Sequence, residues 1–381
     1  MFTTMRSKKI IVSRRLKAAF LVLAVLMLSI TGATQVTNAQ TLTKVKLQLK
    51  WVAQAQFAGY YVARDKGFYK EVGLDVEILP GGPDITPLQV LAGGGADFAL
   101  AWLPDGLAGR DKGADFVNIA QVYTRSGMRE LTWKDTNLTA VKDLKGKKVG
   151  VWCCGNQYEL YAALVKNKMS PESPDDVTIV NQPFDMNLFL SREVDAAAAM
   201  TYNELAQVLE TKNPKTGKLY TLDDLNVIKF SDEGTDMLQD SVYASAAWLA
   251  KSGNEDIAVK FLAASFAGWA YARDNLSEAV DIVLKNGTTL GKGHQTWQMN
   301  EVSKLIWPAP LGVGVMDPAA FKRTAEISLN YKVITKAPDD AAYRTDLAKK
   351  AIALAKDKPF SIDEIGEKWQ PAVVEITEGG K

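Results

Sequence analysis

The sequence predicts an α/β protein with two open sheets and a mostly helical C-terminal part, and three observations carry that expectation. Residues 44–79 read as strand, helix, strand, the βαβ unit of a parallel sheet. A second alternation of strand and helix signals begins near Arg129. The chain has 381 residues, 47% hydrophobic and 23% charged, which is enough length and apolar content for two cores.

The elements follow in order. Over 44–51, Val45, Leu47, Leu49 and Trp51 fall on one face and Lys46, Gln48 and Lys50 on the other, the mark of a strand with one buried side. Residues 57–73 suit a helix stopping at Gly73, and Leu74–Leu79 alternates as the next strand. The loop from Pro80 to Asp84 leads into a short helix capped by Asp84 or Thr86. An apolar strand ends at Trp102, and residues 117–124 form another. In the second region a strand ends at Trp152, Gly155 opens a loop, 158–168 is helical, 176–182 is a strand, and an apolar run leads to Tyr202 and Asn203. Residues 213–221 form a polar surface insertion. One more strand starts at Ser241, and helices follow in which Ile257, Phe261, Phe266 and Trp269 recur at helical spacing, a face for packing on the first region. The expected division is 42–123 plus 243–381 for one lobe and 124–242 for the other. Each lobe is expected to hold a largely parallel sheet, with ligand bound outside the carboxyl ends of its strands.

Residues 1–39 hold six basic residues and no acidic one, then the apolar run 18–30 and small polar residues before Gln40, the three parts of a secretory signal. Export follows, with the segment either cleaved or kept as an anchor helix. The rest carries 39 basic against 44 acidic residues, a net −5, which gives little reason to bind nucleic acid or an anionic membrane. The two cysteines, Cys153 and Cys154, are adjacent, so a long-range disulfide is excluded. They either pack as thiols or close a strained vicinal disulfide that stiffens the loop before Gly155. His294 is the only histidine, so neither a Cys/His metal site nor a serine or cysteine nucleophile with its own base is indicated. No nucleophile elbow, phosphate loop or dinucleotide fingerprint occurs, and no cofactor or metal is expected.

Aromatic side chains recur at strand ends instead. Trp51 and Phe57 flank the first loop, Trp102 ends one strand, Trp152 another, and Tyr202 follows the apolar run. Stacked rings with polar groups at their edges suit a flat heteroaromatic ligand. The polar candidates are Asp84, Asp105, Asn156, Glu159, Asn203 and Glu233, mostly acceptors that match ring or amino N–H donors.

The stretch QFAGYYVARDKGFYKEVGLDVEILPGGPD, followed by VLAGGGADFALAW and LKGKKVGVW, resembles the solute-binding proteins of ABC importers in the family that includes binders of thiamine pyrimidine precursors, riboflavin, sulfonates and nitrate. The resemblance covers most of residues 44–275 and extends to a fungal pyrimidine-precursor synthase of the same fold. It implies a type II periplasmic binding protein, two lobes joined by two crossover strands, closing on a small molecule and delivering it as a monomer to permease subunits. The synthase has a cofactor-holding lysine where Ala101 stands, a sacrificial histidine where Asp105 stands and a cysteine cluster in the region matching residues 236–240, where this chain has no cysteine. The resemblance therefore implies a binding protein rather than an enzyme. A hydroxymethyl- or formylaminopyrimidine is the first ligand expectation and a flavin the second.

Overall fold

The computed structural model describes Met1, residues 41–152 and residues 155–381. The proposed signal segment and the Cys153–Cys154 pair lie outside the described residues. Among the described residues ten strands form two five-stranded sheets. The first contains β1 (Thr43–Gln48), β2 (Leu74–Leu79), β3 (Phe98–Ala101), β4 (Phe116–Gln121) and, far along the chain, β10 (Ser241–Ser245), in the order β2-β1-β3-β10-β4. The second contains β5 (Met128–Trp133), β6 (Lys147–Val151), β7 (Val177–Asn181), β8 (Ala196–Met200) and β9 (Leu225–Lys229), in the order β7-β6-β8-β5-β9.

Both sheets are mixed, which corrects the expectation of largely parallel ones. β1 pairs in parallel with β2 and β3, but β10 runs antiparallel between β3 and β4. In the second sheet β6 is parallel to β7 and β8, while β5 runs antiparallel to both β8 and β9. The antiparallel member of each sheet is the strand by which the chain enters it from the other.

The helices that place the site are α1 (Ala58–Asp65), α2 (Pro87–Ala92), α3 (Leu103–Asp111), α4 (Tyr158–Lys166), α5 (Glu204–Leu209), α6 (Asn254–Asp274), α7 (Leu276–Asn286) and α8 (Lys292–Ile306). The helix expected over 57–73 is broken in two, because Gly67 adopts φ 81°, a left-handed turn that costs glycine little. β1 ends at Gln48 rather than Trp51, and Gln48 is buried despite its place in the polar register. Trp102 belongs to no strand. It is the N-cap of α3, a helix that periodicity does not reveal, and Pro104 sits in the first turn, where its missing N–H costs nothing.

The apolar face of α6 packs where its spacing predicts. Phe261 stacks on Phe98 with centroids 4.2 Å apart and on Tyr69 at 5.6 Å, while Trp269 meets Tyr60 edge-on at 5.7 Å. Among the described residues no helix is long and apolar enough to cross a membrane.

Glu130, in the middle of β5, is fully buried and neither carboxyl oxygen has a partner among the described residues. Loss of solvation pushes its carboxyl well above the ordinary carboxylate value, so the folded chain favours the protonated form. Stability from this group is complete below the unfolded value of 4.5 and falls as pH rises above it. Glu130→Gln should therefore gain on wild type as pH goes from 5 to 8, and Glu130→Leu should be more stable at pH 8 by about 1–3 kcal/mol. Urea unfolding at both pH values measures this, and parallel pH profiles for wild type and Glu130→Gln would contradict it.

Candidate functional site

The carboxyl ends of the parallel strands from both sheets open on one cavity of about 730 Å³. From the first sheet come Lys50 and Trp51 after β1, Gly82 and Pro83 after β2, and Trp102 and Asp105 after β3. From the second come Trp152 and Asn156 after β6, Phe184 after β7, and Tyr202, Asn203 and Glu204 after β8. An apolar arm of the cavity runs past Leu88 and Ala92 of α2 and Ala108 and Gly109 of α3.

Backbone contacts set these loops. Gly81 donates its N–H to the carbonyl of Trp51 at 3.1 Å, tying the loop after β2 to the loop after β1. The approach is so close that a Cβ at Gly81 would stand 2.4 Å from the carbonyl oxygen of Leu49 and 2.5 Å from the Trp51 nitrogen. Glycine at this place answers to crowding, not to a positive φ. Phe184 spans the mouth, meeting Trp51 edge-on at 4.8 Å and lying parallel to Trp152 at 6.3 Å.

Beneath the floor Asp240 is buried, accepting from Gln56 Nε2 at 3.2 and 3.1 Å and from Trp102 Nε1 at 3.3 Å. The ammonium of Lys50 lies 3.9 Å from the centre of the Trp102 ring, a cation–π contact. Burial lowers the pKa of Lys50 and raises those of Asp105 and Asp240, and the attraction between the lysine and the two carboxylates opposes each shift. At the far wall Glu204 accepts from the Met200 N–H at 3.0 Å and from Asn203 Nδ2 at 2.6 Å, and burial pushes it up to about 7. The Asn203 carbonyl oxygen in turn meets His294 Nε2 at 2.9 Å, and His294 Nδ1 meets Glu210 at 2.9 Å. The lone histidine thus braces the wall from α8.

Of the residues singled out in the sequence, Trp51, Trp102, Asp105, Asn156, Tyr202 and Asn203 line the cavity. Four do not. Phe57 is buried beneath it in the core, because the chain turns inward at residues 55–57. Asp84 is exposed on its loop. Glu159 is buried behind the cavity, accepting from Ser126 Oγ at 2.9 Å, and burial pushes it up to about 8. Glu233 accepts from Asn167 Nδ2 at 3.1 Å at the far end of α4. The Gly155 N–H donates to Gln157 Oε1 at 3.0 Å.

Lys50, Asp240, Glu204 and Phe184 were not anticipated. Strand alternation assigns Lys50 to an outer face, but β1 has ended before it. Asp240 sits at a crossing between sheets that no local pattern marks.

Glu204 gives the site a titration near neutrality. Its folded value of about 7 lies above the ordinary 4.5, so the stability it contributes is lost as pH rises from 4.5 through 7. Carbon-13 NMR of the side-chain carboxyl should find a midpoint near 7 that moves up in Asn203→Ala, which removes the amide hydrogen bond that favours the charged carboxylate. A midpoint near 4.5 in the wild type would be the contrary result. Gly81→Val should displace the Trp51 loop, read as a change in tryptophan fluorescence or a lost folded state.

Residues 54–279 match the NMT1/THI5-like family. The chain is 24% identical over 274 residues to the formylaminopyrimidine-binding protein of Halalkalibacterium halodurans, covering 71% of this chain and 78% of that protein. It is 27% identical over 307 residues to the riboflavin-binding protein RibY of Chloroflexus aurantiacus, covering 77% and 83%. Among solved structures, the periplasmic aliphatic sulphonate-binding protein SsuA of Escherichia coli superposes with a TM-score of 0.58 at 16% identity, covering 87% of this chain and 94% of that one, which shows the periplasmic binding protein fold. With two mixed sheets facing one cavity and more than half its length matched, the chain belongs to the NMT1/THI5-like family.

Proposed function

We propose that this chain is the extracytoplasmic solute-binding component of an ABC importer, and that it captures a flat nitrogen heterocycle of flavin size between lobes 42–123 plus 243–381 and 124–242. The observation that carries the ligand reading is the cavity, about 730 Å³ and walled by Trp51, Trp102 and Tyr202. That volume lies in the upper part of the range for small-molecule sites, with room for a three-ring system and its side chain where one pyrimidine ring would leave most of it unfilled. Two carboxylates beside the single floor lysine disfavour a sulfonate or nitrate, which brings oxygens and no N–H donor.

An aminopyrimidine is the second reading, favoured by the similarity to the formylaminopyrimidine-binding protein and by the amide and carboxylate edges of Asn203 and Asp105. Turnover is not part of the proposal, since Ala101 and Asp105 stand where the resembling synthase carries its lysine and histidine. Delivery to a permease follows from the resemblance, and export from the N-terminal segment.

Calorimetry of the purified chain with riboflavin, formylaminopyrimidine, an alkanesulfonate and nitrate tests the reading. Riboflavin should bind most tightly. Tight binding of only the sulfonate or nitrate would remove the heterocycle reading, and release of a pyrimidine product from pyridoxal phosphate would remove the binding-protein reading. Trp51→Ala and Trp102→Ala should each weaken binding by about 2 kcal/mol or more, as anchor aromatics do, whereas Lys70→Ala on the exposed outer helix should change nothing.

A further inference from the structure

Lys50 is the floor group that the protein leaves unanswered. Its ammonium rests on the Trp102 ring at 3.9 Å, yet among the described residues it makes no hydrogen bond or ion pair. The carboxylates that act on it are those of Asp240 and Asp105, and Asp240 is already engaged by Gln56 and the Trp102 indole. Three N–H donors on a partly buried cation therefore face a cavity lined by rings. A desolvated charge without partners is costly, and a ligand oxygen would relieve it.

The neighbouring groups narrow the chemistry. An ammonium only donates, and an ionised carboxylate only accepts. A ligand edge that satisfies both must carry an acceptor for Lys50 and, beside it, a donor for Asp105. An anion offers acceptors alone and would face the Asp105 carboxylate, with that of Asp240 beneath. A cyclic amide, with its ring carbonyl next to a ring N–H, offers both in one plane, and its flat ring continues over the aromatic walls.

We propose that Lys50 and Asp105 together read the lactam edge of the bound heterocycle, Lys50 taking the carbonyl oxygen and Asp105 the adjacent N–H. This rests on the heterocycle reading above and adds to it the residue pair that sets specificity. The burial that lowers Lys50 and raises Asp105 is consistent with two groups awaiting partners.

The test compares lumiflavin with N3-methyl-lumiflavin, in which the lactam N–H is blocked, on wild type, Lys50→Met and Lys50→Arg by calorimetry. Wild type should bind lumiflavin at least about 10-fold more tightly than the methylated ring. Lys50→Met should lose about 10- to 100-fold for lumiflavin, the range of a hydrogen bond from a charged group, and Lys50→Arg should recover part of it. The unfolding midpoint of ligand-free Lys50→Met checks that the fold persists. Should that variant not fold, the discrimination against N3-methyl-lumiflavin by wild type and the partial affinity of Lys50→Arg decide. Equal affinity for the two rings, or unchanged affinity in a folded Lys50→Met, overturns the proposal and leaves the heterocycle reading standing. No lumiflavin binding by wild type, with the aminopyrimidine bound instead, overturns the flavin reading and the proposal with it.

Discussion

The structure depends on the place where the chain crosses twice between its sheets. The segment after β4 and the segment before β10 run side by side, with the Tyr123 N–H donating to the Asp240 carbonyl at 3.1 Å. Gln239, fully buried, fastens them. Its side-chain oxygen accepts from the Gly127 N–H at 2.9 Å, its amide donates to Ser126 Oγ at 3.1 Å, and its backbone carbonyl accepts from Gln121 Nε2 at 2.9 Å. A buried amide whose oxygen and nitrogen are both partnered favours one geometry, because others leave these polar atoms unpaired in a dry interior. The orientation of the β10 and β5 strands, antiparallel to their neighbours, follows from this double passage.

The same crossing delivers the chemistry of the cavity. Asp240 follows Gln239 directly, so the residue that fastens the sheets also sets the carboxylate against Trp102 and Gln56. Ser126, on the other crossing segment, holds Glu159 behind the wall. The electrostatics of the cavity and the crossing between the sheets are thus one construction. Several carboxyls here have values raised by burial, two of them to about 7 and about 8, within reach of ordinary pH.

Much of this was legible in the residues. The βαβ unit at 44–79, the strands ending near Ala101 and Val151, and the packing face of α6 were marked by alternation or helical spacing, because each has one buried side and repeats locally. The aromatic cavity residues were legible for a related reason: a large ring just past a strand end either caps the core or lines a cleft. The antiparallel strand β5 and the helix α3 were not marked, the first because it is buried on both faces, the second because its apolar residues show almost no periodic bias. Lys50 illustrates the limit. Its register says surface, and only the early end of β1 turns it into the cavity. Asp240 and Glu204 depend on chain segments distant in sequence, so no spacing announces them.

The ring contact across the mouth has a kinetic meaning. Trp51 follows β1 of the first sheet and Phe184 follows β7 of the second, so their 4.8 Å edge contact bridges part of the mouth. A solute passing between them must separate the rings and wet their faces, then let them meet again behind it. That work is returned once the solute is inside, so it weighs on the rates of arrival and departure together and leaves the equilibrium untouched. A ring contact of this kind acts on how long a solute stays, while the groups deeper in the cavity act on how tightly it is held.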